Sequence, residues 1–130
     1  MNQSPLILNV DDNDGARHAK TRLLMNAGFR VSEAADGESA LAMAARELPS
    51  IVLLDVKLPD IKGTDVCRSI KADPATANIL IVQTSAAYIR DEDKLKALDS
   101  GADGYLAAPF NPDELIAVVR GLLAPTPTHY

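Results

Sequence analysis

The sequence predicts a doubly wound α/β fold, a five-stranded parallel sheet in the order 2-1-3-4-5 with helices on both faces. Three observations predict it. Short apolar runs alternate about five times with segments of helical periodicity. The central run Ile51-Val52-Leu53-Leu54 is near-continuous, as in strands covered on both faces. Ten elements with short connections fill the 130 residues, whereas a closed barrel of such units needs roughly 200 or more. No repeat of about 20–50 residues is evident beyond that alternation.

Taken in order, Leu6–Val10 is short, branched and followed by acids, which makes it a buried strand. A helix follows from Asp14 to Ala27, with Ala16, Ala19, Leu23 and Ala27 as its apolar stripe, and Gly28 closes it. Arg30–Ala34 is the second strand. Asp36 or Gly37 opens a helix to about Leu48, with Leu41, Ala44, Ala45 and Leu48 on one face, and Pro49 stops it. The third strand ends at Asp55. Leu58–Gly63 has turn chemistry, and a helix over about Thr64–Ala72 turns Val66, Cys67 and Ile70 inward. Ile79–Val82 is the fourth strand, Asp91–Ser100 a short helix ending at Gly101, and Gly104–Ala107 a weaker fifth strand. Asn111 caps the last helix, Pro112 suits its first position, and Leu115, Ile116, Val119, Leu122 and Leu123 form its stripe. Residues 1–124 read as one domain and Pro125–Tyr130 as a tail or the start of a linker.

Composition narrows the function classes. Hydrophobic residues make up 47% and charged residues 24%, which is globular rather than disordered composition. A net charge of −5 argues against a nucleic-acid-binding face. One cysteine excludes an internal disulfide framework, and Cys67 reads as a small buried apolar residue. The start MNQSPLILNV lacks the features of a signal peptide, and no apolar run approaches the roughly 20 residues that span a bilayer. The expectation is a cytoplasmic domain without membrane contact.

Ligands of doubly wound sheets bind beyond the carboxyl ends of the strands, where the strand order reverses. Asp11 and Asp12 follow the first strand, Asp55 ends the third, and Ser85 follows the fourth. Adjacent strands lie about 4.8 Å apart, so these acids would repel one another. Mg²⁺ resolves the conflict, because it takes oxygen ligands from carboxylates, water and phosphate. The same arrangement suits phosphoryl transfer to a carboxylate. Asp55, rigidly aimed by a central strand, is the candidate nucleophile, and Ser85 could donate a hydrogen bond to a phosphoryl oxygen.

These residues carry a resemblance. Val10-Asp11-Asp12, the run from Leu53 to Gly63, Ser85-Ala86 and Gly101-Ala102-Asp103-Gly104-Tyr105 together resemble the receiver domain of two-component response regulators, over about residues 5–124. The resemblance implies the flavodoxin-like receiver fold. It implies a phosphoacceptor, Asp55, served by a partner histidine kinase or phosphotransfer protein. It implies Mg²⁺ held by Asp12, Asp55 and the Lys57 backbone carbonyl, with Asp11 helping through water. Ser85 and Tyr105 would then read the phosphorylation state, and a downstream protein would dock on the fourth helix, fifth strand and fifth helix. Such a domain assists its own phosphorylation and dephosphorylation rather than turning over a free substrate. Tyr105 also fits a half-buried aromatic on an edge strand, Pro109 is open to either peptide isomer, and a homodimer remains open. His18 reads as an exposed polar residue, Lys94 and Lys96 as a solvated helix face, and His129 has no ligand constellation around it.

One position departs from the family. Ala108 stands directly before Pro109, where the family carries a lysine that contacts the phosphoryl group. Two unit charges about 4 Å apart interact by about 4 kcal/mol at an effective dielectric near 20. The loss is expected to slow phosphorylation or weaken switching, and it removes an internal cation that competes with the metal. Lys57 is a candidate replacement, since its spacing from Asp55 projects it toward the same edge; the alternative is a solvated lysine. Two other readings follow: a pseudo-receiver that docks partners without efficient phosphorylation, and the receiver portion of a hybrid sensor histidine kinase, which the proline-containing tail would suit as a linker.

Overall fold

Branched and apolar runs form the strands, and each is followed by a helix that carries the chain back across the sheet. The computed structural model describes residues 4–85 and 91–124. The elements are β1 (Leu6–Val10), α1 (Asp14–Asn26), β2 (Arg30–Ala34), α2 (Gly37–Glu47), β3 (Ile51–Asp55), α3 (Gly63–Ala72), β4 (Leu80–Ser85), α4 (Asp91–Asp99), β5 (Gly104–Ala107) and α5 (Pro112–Leu123). All strand pairs are parallel, in the order β2-β1-β3-β4-β5. The predicted fold class and order are therefore correct. The tail from Pro125 to Tyr130, with His129, lies outside the described residues, as do Ala86 and the side chain of Lys94.

The sheet divides two cores. Leu8, Val10, Val52, Leu54 and Ile81 face α2 and α3, meeting Ala40, Ala44, Val66, Cys67 and Ile70. Ile7, Ile51, Leu53 and Val82 face the other way, against Leu24 of α1 and Leu115 and Val119 of α5. Each such fully buried branched side chain contributes about 1.5–3 kcal/mol. The alternation matters for the site. Asp11 continues the Ile7, Asn9 series and Asp55 the Ile51, Leu53 series, so both belong to the face covered by α1 and α5.

Helix ends follow local chemistry. Asn13, Asp36 and Asn111 each accept a backbone N–H of the first turn, and Glu114 completes a capping box with Asn111. Gly28 ends α1 with φ of +99°, as its position after the helix predicts. Leu48 closes α2 in the left-handed region with φ of 48°, where glycine is the usual occupant.

Three expectations need correction. The α1 stripe is displaced: Ala16 and Ala19 are exposed, while Lys20 and Leu24 are buried. The inward face of α1 is partly polar because it serves the carboxyl end of β1, so the apolar residues alone give the wrong phase. On α2 the inward residues are Ala40 and Ala44, with Leu41 and Met43 partly buried, whereas Ala45 and Leu48 are exposed. The helix stops one residue before Leu48, whose left-handed backbone turns its side chain out of the stripe. Finally, β4 runs to Ser85 rather than Val82, because Gln83, Thr84 and Ser85 continue the ladder with β3 and β5 despite their polarity.

Candidate functional site

The site forms where β1 and β3 end side by side. Asp11, immediately after β1, is buried and fully engaged. Its Oδ1 accepts the Asn13 N–H at 2.9 Å, and its Oδ2 pairs with the Lys20 ammonium at 2.9 Å. Its carbonyl accepts from the Arg17 guanidinium at 2.9 Å. Arg17 is held in turn by Asp14 at 2.7 Å and Glu33 at 3.2 Å. The buried Asn9 amide donates to the Arg17 carbonyl and the Thr21 hydroxyl. The first turns of α1 are thereby tied to the end of β1.

Asp12 is exposed beside Asp11, and Asp55 is half-buried at the end of β3. One Asp55 oxygen accepts the Lys57 N–H at 3.0 Å; the other accepts no protein hydrogen bond among the described residues. Burial raises the Asp55 pKa above the ordinary carboxylate value. The Lys57 N–H opposes that rise, the charge of Asp11 adds to it, Lys20 opposes it, and Asp12 adds to it.

The three acids each offer a carboxylate oxygen, all within 4.8 Å of one another. Mg²⁺ takes oxygen ligands at 2.0–2.1 Å, so opposite ligands stand about 4.2 Å apart. An all-oxygen set of this span fits such an ion after small side-chain adjustments. Two features shape the loop after β3. Gly63 donates to the Val56 carbonyl at 3.0 Å, and a Cβ on Gly63 would lie 2.5 Å from the Asp55 carbonyl oxygen. Asp60 reaches across to accept the Gly37 and Glu38 N–H groups at 2.8 and 2.9 Å. Those N–H groups, from the first turn of α2, hold its carboxyl below the ordinary value.

The remaining predicted residues lie on β4, on β5 and in the loops and helices around the sheet. Ser85 is the buried last residue of β4, and its carbonyl accepts the Ala108 N–H at 2.7 Å. Thr84, its neighbour, pairs in register with Asp55. Tyr105 is half-buried on the edge strand β5. Ala108 follows β5, and its peptide bond to Pro109 is cis. The Lys57 side chain is exposed, and no ion pair holds it among the described residues. Within the Gly101–Tyr105 motif, Asp103 is a structural tie: it pairs with Lys71 of α3 at 2.9 Å and accepts the Ile81 N–H at 2.8 Å. His18 is exposed, 3.5 Å from Glu33, Lys96 is exposed and Cys67 is buried, each as predicted.

Sequence reasoning missed Lys20, Arg17 and Asn9. Helical periodicity could have shown the shared face of Arg17 and Lys20 but not their partners. Positions 17, 20, 21 and 24 share a helix face, and a lysine in that series beside buried Leu24 needs a buried partner.

Comparison with known proteins settles the family. Residues 7–120 match the family model described as the response regulator receiver domain. The chain belongs to that family. It is a receiver domain of two-component response regulators. The receiver is 37% identical over 122 residues to the DNA-binding dual master transcriptional regulator RpaA of Synechocystis, covering 94% of this chain and 50% of that protein. It is 43% identical over 119 residues to the response regulator PleD of Caulobacter vibrioides, covering 92% of this chain and 26% of that one. The receiver thus spans about half and about a quarter of these two relatives. Among solved structures, a CheY-like receiver domain protein from Methanospirillum hungatei superposes with a TM-score of 0.86 at 27% identity, covering 93% of this chain and 94% of the other. No helix among the described residues is long and apolar enough to cross a membrane.

Proposed function

We propose that this receiver domain accepts a phosphoryl group on Asp55 from the phosphohistidine of a histidine kinase or phosphotransfer protein, with Mg²⁺ at the acidic site. The observation that carries the reading is the convergence of Asp11, Asp12 and Asp55. Asp55 is the nucleophile among them, because it ends a central strand and keeps one oxygen without a protein hydrogen bond among the described residues. That oxygen attacks phosphorus as the bond to the imidazole nitrogen breaks, and the electron pair leaves with the imidazole. Asp12, Asp55 and the Lys57 carbonyl are the proposed metal ligands, with Asp11 acting through water. When bound, the ion supplies positive charge against the phosphoryl oxygens.

Ser85 is the proposed phosphoryl contact and, with Tyr105, the switch. The face of α4, β5 and α5 is the proposed docking surface for a downstream protein, and a second copy of the domain is an admissible occupant. Leu95 and Leu98 on α4 are exposed large apolar residues, and Tyr105 lies half-buried nearby, which supports that assignment. The domain assists its own phosphorylation and dephosphorylation, acts in the cytoplasm and contacts neither nucleic acid nor membrane directly. Residues 1–124 form the functional unit, and residues 125–130 are a tail or linker.

One observation favours a second reading. Ala108 leaves the loop after β5 without its expected cation, which suits a pseudo-receiver that binds partners without efficient phosphorylation. The receiver portion of a hybrid sensor kinase is a third arrangement. Intact-mass measurement with Mg²⁺ and a small-molecule phosphodonor separates the first two. Gain of one phosphoryl group by the parent, and none by Asp55→Asn, is the expected result. Labelling only after Ala108→Lys would favour the pseudo-receiver.

A further inference from the structure

Ala108 suggests an acidic site stripped of its internal cation, yet an ammonium stands in it from another direction. Lys20 projects from the inward face of α1, its side chain about nine-tenths buried, with Nζ 2.9 Å from Oδ2 of Asp11. Among the described residues this is the ion pair into the acidic cluster. A buried lysine is tolerated only when paired, and here the partner belongs to the set of oxygens that fits a divalent ion. Both groups lie on the sheet face that also carries Asp55.

The pairing has a consequence for metal binding. With Lys20 charged, the cluster of Asp11, Asp12 and Asp55 holds three negative charges and one positive. A divalent ion entering the cluster meets that ammonium as a like charge, and it draws on a carboxylate the ammonium already holds. We propose that Lys20 is the internal cation of this receiver: it neutralises Asp11 from α1, competes with the divalent ion for the acidic site, and so sets its Mg²⁺ affinity. The inference rests on the assignment of the three acids as a metal site and concerns a positioning residue that acts through Asp11. It also replaces the expectation that Ala108 frees the site of a competing cation.

The test is calorimetric titration of Mg²⁺ into the parent chain, Lys20→Met, Lys20→Arg and Arg22→Met. Arg22 is exposed on the same helix, so its variant controls for net charge. Lys20→Met is expected to tighten Mg²⁺ binding by a factor of about ten, the order expected for removing one partly screened like charge. Lys20→Arg and Arg22→Met are expected to keep the parent affinity. A purely structural lysine predicts the opposite sign, since loosening the site would weaken binding. Equal or weaker binding by Lys20→Met overturns the proposal. Binding by Lys20→Met where the parent shows none supports it, and silence of every variant overturns the metal assignment along with it. In the parent itself, the ¹⁵Nζ resonance of Lys20 is expected to shift with the Mg²⁺ titration while that of Lys71, paired with Asp103, stays put. An unmoved Lys20 resonance overturns the proposal even if Lys20→Met does not fold.

Discussion

Asp55 is a half-buried carboxylate beside two others, and the fold bears a cost for its charge. Burial raises its folded pKa above the unfolded value, and Asp11 and Asp12 push the same way. Below the unfolded value it is protonated in both states and contributes nothing to the pH dependence. As pH rises through the raised folded value, ionisation penalises the folded state and stability falls. Asp55→Asn in metal-free buffer is therefore expected to stabilise the domain at pH 7. The gain should shrink as pH falls toward 4, and thermal unfolding across that range checks it. At this scale the three acids were legible because strand ends announce themselves: each follows an apolar run. Lys20 was not, because its importance lies in a partner reached only after the helix docks.

Helix boundaries were legible where a side chain caps its own helix, as Asn111 does, and where a glycine closes one, as Gly28 does. Asp36 likewise opens α2 as expected, and what stayed hidden there is a remote contact that supports it. Asp60 holds the first turn of α2 from a loop more than twenty residues on, and no local pattern reports it. The far end of α2 gives the prediction at this scale. Leu48 is 57% exposed and sits at φ of 48°. A left-handed residue with a Cβ costs about 1–2 kcal/mol, and a glycine at this cap avoids most of it. Leu48→Gly is expected to raise stability by roughly 0.5–1 kcal/mol, read as a shift of the urea midpoint with an unchanged slope. The β4 boundary shows the reverse dependence, with polar Gln83–Ser85 kept in the strand by pairing with β3 and β5.

For the whole molecule, the acidic site couples ligand binding to folding. Only the folded sheet gathers oxygens from β1 and β3 within 4.8 Å, so a metal there binds the native state alone. At 100 times its dissociation constant, Mg²⁺ is expected to stabilise the receiver by about 2.7 kcal/mol. In a domain of this size that corresponds to a rise in Tm of roughly 10 °C. Asp12→Ala, which removes an exposed carboxylate, is expected to abolish the rise while leaving the metal-free Tm nearly unchanged. Differential scanning calorimetry with Mg²⁺ and with chelator reads both.

The sequence by itself determined the alternation of strands and helices, the parallel sheet, and three acids at the ends of β1 and β3. These follow from periodicity and local chemistry, which act over a few residues. Only the tertiary structure decided that the inward face of α1 is polar, that Asp60 caps α2, and that Lys20 meets Asp11 in a buried pair. Burial, desolvation and ion pairing belong to the packed molecule, because a charge has no partner and loses no water until a second element comes down on it.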